Sequence, residues 1–320
     1  MANSSAGSTP ASAKRERKYH ISHGRMMMYA ITGITGKVGG ELARRLLVAG
    51  APVRAVVRDE AKGAAWAARG CDVALAEMGN PAQLAAAFAG ADGVFILPPS
   101  EFDPEPGYPE ARAVIDAVTT AINAARPSKV LCLSTIGADA PFDNLLTQRT
   151  LMEQALGALN IPVTFLRPGW FMENAAWDVP AARDEGVLHS FLQPADKVFP
   201  MVATKDIGAL GAELIRQDWT DTRIVELEGP ARVSANDLAR TFAAALGHPV
   251  RVEIVPRASW EGLFRSQGSK NPLPRIRMLD GFNEGWIAFR DQGRLAVKGG
   301  TPLSEAIEAL VAASGESDAA

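Results

Sequence analysis

Cysteine, histidine and tyrosine are all scarce in this chain of 320 residues, which has two, four and three of them respectively. No His/Cys/Asp/Glu spacing suggests a metal site, so no metal is expected. Cys71 and Cys132 each lie in an apolar run. A disulfide between them is left open but nothing demands it, and a reduced pair in a cytoplasmic protein is the expectation. An excess of one charge is also lacking. The formal net charge of −3 gives no field to recruit nucleic acid or an anionic membrane. The longest uncharged stretch, Met78 to Ala91, has about 14 residues and is broken by Gly79, Asn80, Pro81 and Gly90. A membrane span needs roughly 18. No secretory signal and no Gly-x-Ser-x-Gly elbow of a hydrolase is visible.

What is present is ordinary for a globular protein, 47% hydrophobic and 22% charged. From Met27 onward, short apolar runs alternate with helix-like stretches, the pattern of a parallel sheet wrapped by helices. Strands are expected at 27–32, 53–57, 72–75, 93–97, 130–134 and 163–169, and helices at 37–49, 60–69, 81–89, 109–125 and 144–158. Six such units predict a doubly wound Rossmann domain over 26–170. Beyond Gly169, Trp- and Phe-rich segments read as a smaller, discontinuous substrate lobe over 171–313. It contains helices near 206–216 and 234–246, a strand at 224–227 and segments returning to the first domain. Residues 314–320 are expected to fray. Residues 1–25 carry Lys14, Arg15, Arg17, Lys18 and Arg25 against Glu16. They read as a disordered, solvated tail or an upstream start before Met26; a targeting or nucleic-acid arm is the alternative.

The sequence Thr32-Gly33-Ile34-Thr35-Gly36-Lys37-Val38-Gly39 joins a strand end, a tight turn and a helix start. A pyrophosphate is held there by backbone N–H groups, so side chains must be absent where it approaches. Gly33 makes the turn, Gly36 permits close approach, and Gly39 lets the helix pack on the strand. The end of the second strand chooses the cofactor. An acid would bind a ribose 2′-hydroxyl, whereas Val57 is followed here by Arg58, with Lys62 a helical turn on. A guanidinium suits a 2′-phosphate, which predicts NADP(H) over NAD(H). The alternative is a surface arginine paired with Asp59 or Glu60.

With those residues in place, the chain resembles the NmrA-like family of atypical short-chain dehydrogenase/reductases over roughly residues 27 to 300. The likeness is carried by 32–39 and by Val-Arg-Ala-Val-Val-Arg (53–58), Ala-Glu-Met-Gly-Asn-Pro (76–81) and Leu-Ser-Thr-Ile-Gly-Ala (133–138). Leu-Arg-Pro-Gly-Trp-Phe-Met-Glu-Asn (166–174) and Asp206-Ile207 complete it. The resemblance implies that Glu77, where Asp is usual, lies near the adenine, and that Leu97 and Pro98 border the nucleotide ribose. It places Ser134 and Thr135 near the nicotinamide, and Gly169, Trp170, Phe171 and Asn174 where cofactor and substrate meet. The family includes NADPH-dependent quinone reductases and NADP-sensing regulators that catalyse little or nothing.

Short-chain reductases usually protonate the substrate through a tyrosine tuned by a lysine four residues later. The corresponding helix here, Thr147-Gln148-Arg149-Thr150-Leu151-Met152-Glu153, has neither. Tyr108 has the wrong place in the topology and is expected to begin a helix. A quinone escapes the need for that relay, because the hydroquinone anion left by hydride transfer is protonated by solvent. Such chemistry asks chiefly for orientation. Ser134, Thr135 and Arg149 are the candidate catalytic groups, stabilising an oxyanion, with Arg149 alternatively a solvated helix residue. Trp170, Phe171 and Trp177 either stack on a flat ring or close the core between lobes. His189 is a weaker candidate in the substrate lobe, and His248 is expected in a turn. The first functional reading is an NADPH-dependent oxidoreductase acting on a quinone-like or other small electrophilic acceptor. The alternative is an NADP(H)-sensing regulator acting through a protein partner, and a homodimer is left open.

Overall fold

Fully buried runs such as Val94-Phe95-Ile96 and Val130-Leu131-Cys132 can only be strands covered on both faces, the mark of a parallel sheet. A computed structural model bears this out for residues 26–317. The basic segment 1–25 and residues 318–320 lie outside the described residues. β1 (Tyr29–Ile31) leads into α1 (Lys37–Val48), β2 (Val53–Val57) into α2 (Glu60–Ala67), and β3 (Asp72–Leu75) into α3 (Pro81–Phe88). β4 (Gly93–Ile96) precedes α4 (Pro109–Ala125), β5 (Lys129–Leu133) precedes α5 (Thr147–Gly157), and β6 (Val163–Pro168) follows.

The second half runs β7 (Trp170–Phe171), α6 (Val179–Glu185), β8 (Val187–Ser190), β9 (Met201–Val202), α7 (Thr204–Ile215) and β10 (Arg223–Glu228). Then come α8 (Ala235–Leu246), β11 (Arg251–Ile254), α9 (Trp260–Ser266), α10 (Leu273–Glu284), β12 (Val297–Lys298) and α11 (Leu303–Ser317). The main sheet has eight strands in the order β12-β10-β6-β5-β4-β1-β2-β3, paired in parallel throughout. The order reverses between β1 and β4, and the crevice outside the carboxyl ends of those strands is where such sheets bind ligands.

Local chemistry explains the boundaries. Asp59 and Asn80 cap α2 and α3 through the N–H groups of Lys62 and Gln83, and Pro81 opens α3. Ser234 and Asp237 form a capping box on α8, and Gly247 ends it in the left-handed region. Helix α5 starts at Thr147 rather than 144. The Asn144 carboxamide accepts the Leu146 N–H and the Thr147 hydroxyl accepts the Asn144 N–H, folding a turn where helix was expected. At the other end, α11 continues through Ser317, past the expected fraying point, and the Ser314 hydroxyl bonds back to the Val311 carbonyl.

On one sheet face α1 and α7 enclose a core containing Ile31, Leu42, Leu46 and Ile207. On the other face α3, α4 and α5 bury Phe88, Val118, Ile122 and Leu156. A third cluster, around Phe242, Trp260, Phe264 and Phe282, is a separate core made largely of residues beyond β6. The strand expected at 224–227 belongs to the main sheet, as β10 beside β6. β12 extends that edge.

Candidate nucleotide and acceptor site

The corner between β1 and α1 is built from bare backbone. Gly33 has φ +63°, a left-handed conformation that glycine adopts freely, and its carbonyl accepts the Gly36 N–H at 3.0 Å. A Cβ on Gly33 would stand 3.0 Å from the Leu97 side chain, so Leu97 closes over the turn. A Cβ on Gly39 would collide with the Gly33 carbonyl, which is why the helix can lie so close to the strand. A Cβ on Gly36 would meet only the Gly33 oxygen, at 3.3 Å, and Gly36 is exposed. No side chain caps α1, and its first turn holds no acid. Those first N–H groups and the positive helix end fit a diphosphate.

Each predicted residue of this corner has a distinct place. Thr35, Gly36 and Lys37 are exposed, whereas the Val38 side chain is in the core, leaving only its N–H to serve a ligand. The Thr32 hydroxyl donates to the Phe95 carbonyl at 3.0 Å and accepts the Leu97 N–H at 2.8 Å, so it staples β1 to the end of β4. Arg58 and Lys62 are exposed, and among the described residues neither side chain has an ion-pair or hydrogen-bond partner. The surface pairing of Arg58 with Asp59 or Glu60 is therefore not formed; Asp59 turns instead to the Lys62 backbone. Glu77 is exposed beyond β3. Gly169 is buried, and a side chain there would strike the Pro200 carbonyl.

The three catalytic candidates separate. Arg149 is half-buried and engaged with the protein. Its guanidinium donates to the Pro98 carbonyl (3.0 Å), the Pro99 carbonyl (3.1 Å) and the Ser100 hydroxyl (2.7 Å), fastening the loop after β4. Burial presses its pKa down. The buried Ser134 hydroxyl donates to Glu153. Thr135 is half-buried, and its hydroxyl has no hydrogen bond among the described residues.

Glu153 belongs to a network that sequence reasoning missed. Arg167, only 3% exposed, donates to Glu153 at 2.6 and 2.9 Å and to Asp139 at 2.7 Å. Arg290 reaches Asp139 at 3.2 Å, and its N–H donates to Glu226. Burial alone would lower the Arg167 pKa, but the two carboxylates outweigh it and hold the guanidinium above its ordinary value. The available signal was Arg167 itself, a charge inside a run of buried strand, where it must be paired. A groove of about 650 Å³ runs beside this network, but each cation lining it is already engaged: Arg167, Arg290 and Arg223, which donates to Thr164 and Gln217.

Trp170 is half-buried and meets Phe282 edge-on with ring centroids 5.2 Å apart. Phe171 packs into the main core, and Asn174 is exposed. Trp177 is 89% exposed, so it does not close a core. Tyr108 does begin α4, and its hydroxyl donates to the Asn144 carbonyl. Burial raises its pKa. His189 is exposed on β8, 3.8 Å from Glu253, and His248 lies in the turn after α8. Among the described residues no metal-binding cluster occurs, both cysteines are free, and no helix is long and apolar enough to cross a membrane.

Known proteins share this architecture. The model of the NmrA-like family matches residues 28–272. An NAD(P)H azoreductase of Xenophilus azovorans is 30% identical over 226 residues, 70% of this chain and 76% of its own. Quinone oxidoreductase 2 of Escherichia coli (strain K12) is 29% identical over 249 residues, 77% of this chain and 84% of its own. Among solved structures, an NADPH-dependent quinone oxidoreductase of E. coli in complex with NADPH superposes with a TM-score of 0.73. It is 24% identical, covering 89% of this chain and 99% of that one. The triphenylmethane reductase of Citrobacter sp., complexed with NADP(H), gives 0.72 at 19% identity, covering 89% and 100%.

Proposed function

The chain belongs to the NmrA-like family, and from that premise we propose that it is an NADPH-dependent reductase of quinone-like or other small, flat electrophilic acceptors. The observation that carries this reading is the pairing of an uncapped α1 with Arg58 at the end of β2, whose side chain has no partner among the described residues. The N–H groups of Lys37 and Val38 would hold the diphosphate, and Arg58 with Lys62 the 2′-phosphate. When bound, the reduced nicotinamide supplies the hydride.

The protein's own contribution is orientation and shelter. Arg149 holds the Pro98–Ser100 loop beside the nucleotide, the Thr135 hydroxyl is free to hydrogen-bond an acceptor carbonyl, and Trp170 offers an aromatic wall. Among the described residues, neither Arg149 nor Glu153 beside Ser134 is suited to deliver a proton. Arg149 is a cation committed to the loop, and Glu153 is ion-paired. The proton therefore comes from water, which restricts the reaction to acceptors whose reduced anion is stable enough to wait for it. The azoreductase and quinone oxidoreductase names of the two relatives support the same class. Titration with NADPH and NADH, followed by a quinone panel at fixed NADPH, tests the proposal. Tight NADPH binding with no turnover across that panel would turn the reading to a nucleotide sensor.

A further inference from the structure

Arg275, on the first turn of α10, is a half-buried cation without a counter-ion. Its guanidinium carbon lies 4.1 Å from the Phe264 ring centroid and 5.9 Å from that of Phe191. Among the described residues it has no ion-pair partner and no hydrogen-bond acceptor. Acids on neighbouring segments are already engaged: Asp103 with Ser269, Lys270 and Asn271, and Asp280 with Arg257 at 2.6 Å. The buried side-chain nitrogen left unpaired among the described residues is Trp219 Nε1, so the Arg275 donors open onto accessible space. Stacking on rings steadies a guanidinium through its faces and leaves its in-plane N–H groups free.

The position of α10 matters as much. Its start is held by Leu145 N–H on the Pro274 carbonyl (2.9 Å), and the segment before it by Asn271 on the Pro104 carbonyl (2.7 Å). Leu145 and Pro104 lie on the loops that leave the carboxyl ends of β5 and β4. Seven residues after Arg275, on the same helical face, Phe282 meets Trp170. Two helical turns are about 10 Å, the length of a flat two- or three-ring molecule.

We propose that Arg275 recognises an anionic group on the acceptor, so that the protein prefers flat conjugated acceptors bearing a sulfonate, carboxylate or phosphate over neutral ones. This rests on the reductase reading above. A guanidinium pairs with such oxyanions through two parallel hydrogen bonds.

The test is equilibrium binding of anthraquinone-2-sulfonate and neutral 2-(hydroxymethyl)anthraquinone to the full chain with NADP⁺ present, followed by tryptophan fluorescence. The sulfonate is expected to bind about tenfold more tightly, the scale of one charge-assisted pair. Arg275→Gln should bring the two within about twofold of each other without changing the neutral ligand's affinity. Arg275→Lys should keep most of the preference. Equal affinities in the parent, a preference that survives in Arg275→Gln, or no binding of either ligand would overturn the proposal. NADPH oxidation with each quinone is measured in parallel. Turnover without charge preference leaves the reductase reading standing and removes Arg275, whereas no turnover with either quinone removes the reductase reading itself.

Discussion

The Ser134 hydroxyl donates to Glu153, and Glu153 stands four residues after Arg149 on α5. That is the spacing at which short-chain reductases usually carry tyrosine and lysine. Here the first position fastens a loop and the second anchors a buried arginine, so one turn of helix has become structural support for the ends of β4, β5 and β6.

Arg58→Ala is expected to weaken NADPH by about 10- to 100-fold, the range for losing charged hydrogen bonds to a phosphate, while NADH changes little. Fluorescence titration with both nucleotides measures it. Equal losses would show that Arg58 does not read the 2′-phosphate.

Gly36 and Gly39 separate binding from folding. Gly36 is exposed with φ −89° and ψ 176°, a conformation open to any residue, so Gly36→Val should fold normally and bind neither nucleotide. Gly39→Val should fail earlier, since its side chain strikes the Gly33 carbonyl. Melting curves and nucleotide titrations on the pair check this; retained affinity in Gly36→Val would make the turn merely structural.

Much of this corner was legible beforehand because backbone geometry leaves a strong sequence trace. Glycine spacing, strand ends and the Arg58 position all follow from local rules. The Arg167 network was not legible. Its partners Asp139, Glu153 and Arg290 come from separate segments, and nothing in their own neighbourhoods announces a partner. The role of the Thr32 hydroxyl in joining β1 to β4 was not legible for a related reason: Phe95 and Leu97, its two partners, lie more than sixty residues away. Trp177 shows the converse, an aromatic residue left outside by a 3₁₀ turn spanning Met172–Trp177.

Glu153→Ala removes the main counter-ion of a guanidinium that is 3% exposed. Leaving a buried charge unpaired costs about 3–5 kcal/mol, and the remaining Asp139 contact places the expected loss near the lower figure. Chemical denaturation measures it. Glu153→Gln, which keeps the shape and an acceptor, should lose less; equal losses would mean that packing rather than charge is at stake.

Burial pushes the Asp178 carboxyl up to about 7, with no compensating partner. A raised acid favours the folded state while protonated. Between the unfolded pKa near 3.9 and about 7 the unfolded chain ionises first, so stability falls as pH rises through that window and then levels. Asp178→Asn should melt increasingly above the parent as pH rises from 4 to 7. A constant difference across that range would refute the assignment.

Asp103 has the opposite sign. Its carboxylate accepts the Ser269 hydroxyl at 2.6 Å and the N–H groups of Lys270 and Asn271 at 2.7 and 2.8 Å, joining the loop after β4 to the segment before α10. The Ser269 bond first, then the two N–H groups, hold its pKa below the ordinary aspartate value. A depressed acid contributes stability that is present above its unfolded pKa and lost as pH falls through the folded one. Asp103→Asn retains one carbonyl oxygen where two carboxylate oxygens accepted, so it cannot satisfy all three donors. The variant should melt below the parent at pH 7, and the gap should close toward pH 3 as the parent's own carboxylate is protonated. Limited proteolysis should cut the variant near residues 100–106 or 269–271 before the parent, because those two segments restrain each other. A gap that persists unchanged at pH 3 would mean that the aspartate's shape, rather than its charge, holds the loop to the lobe.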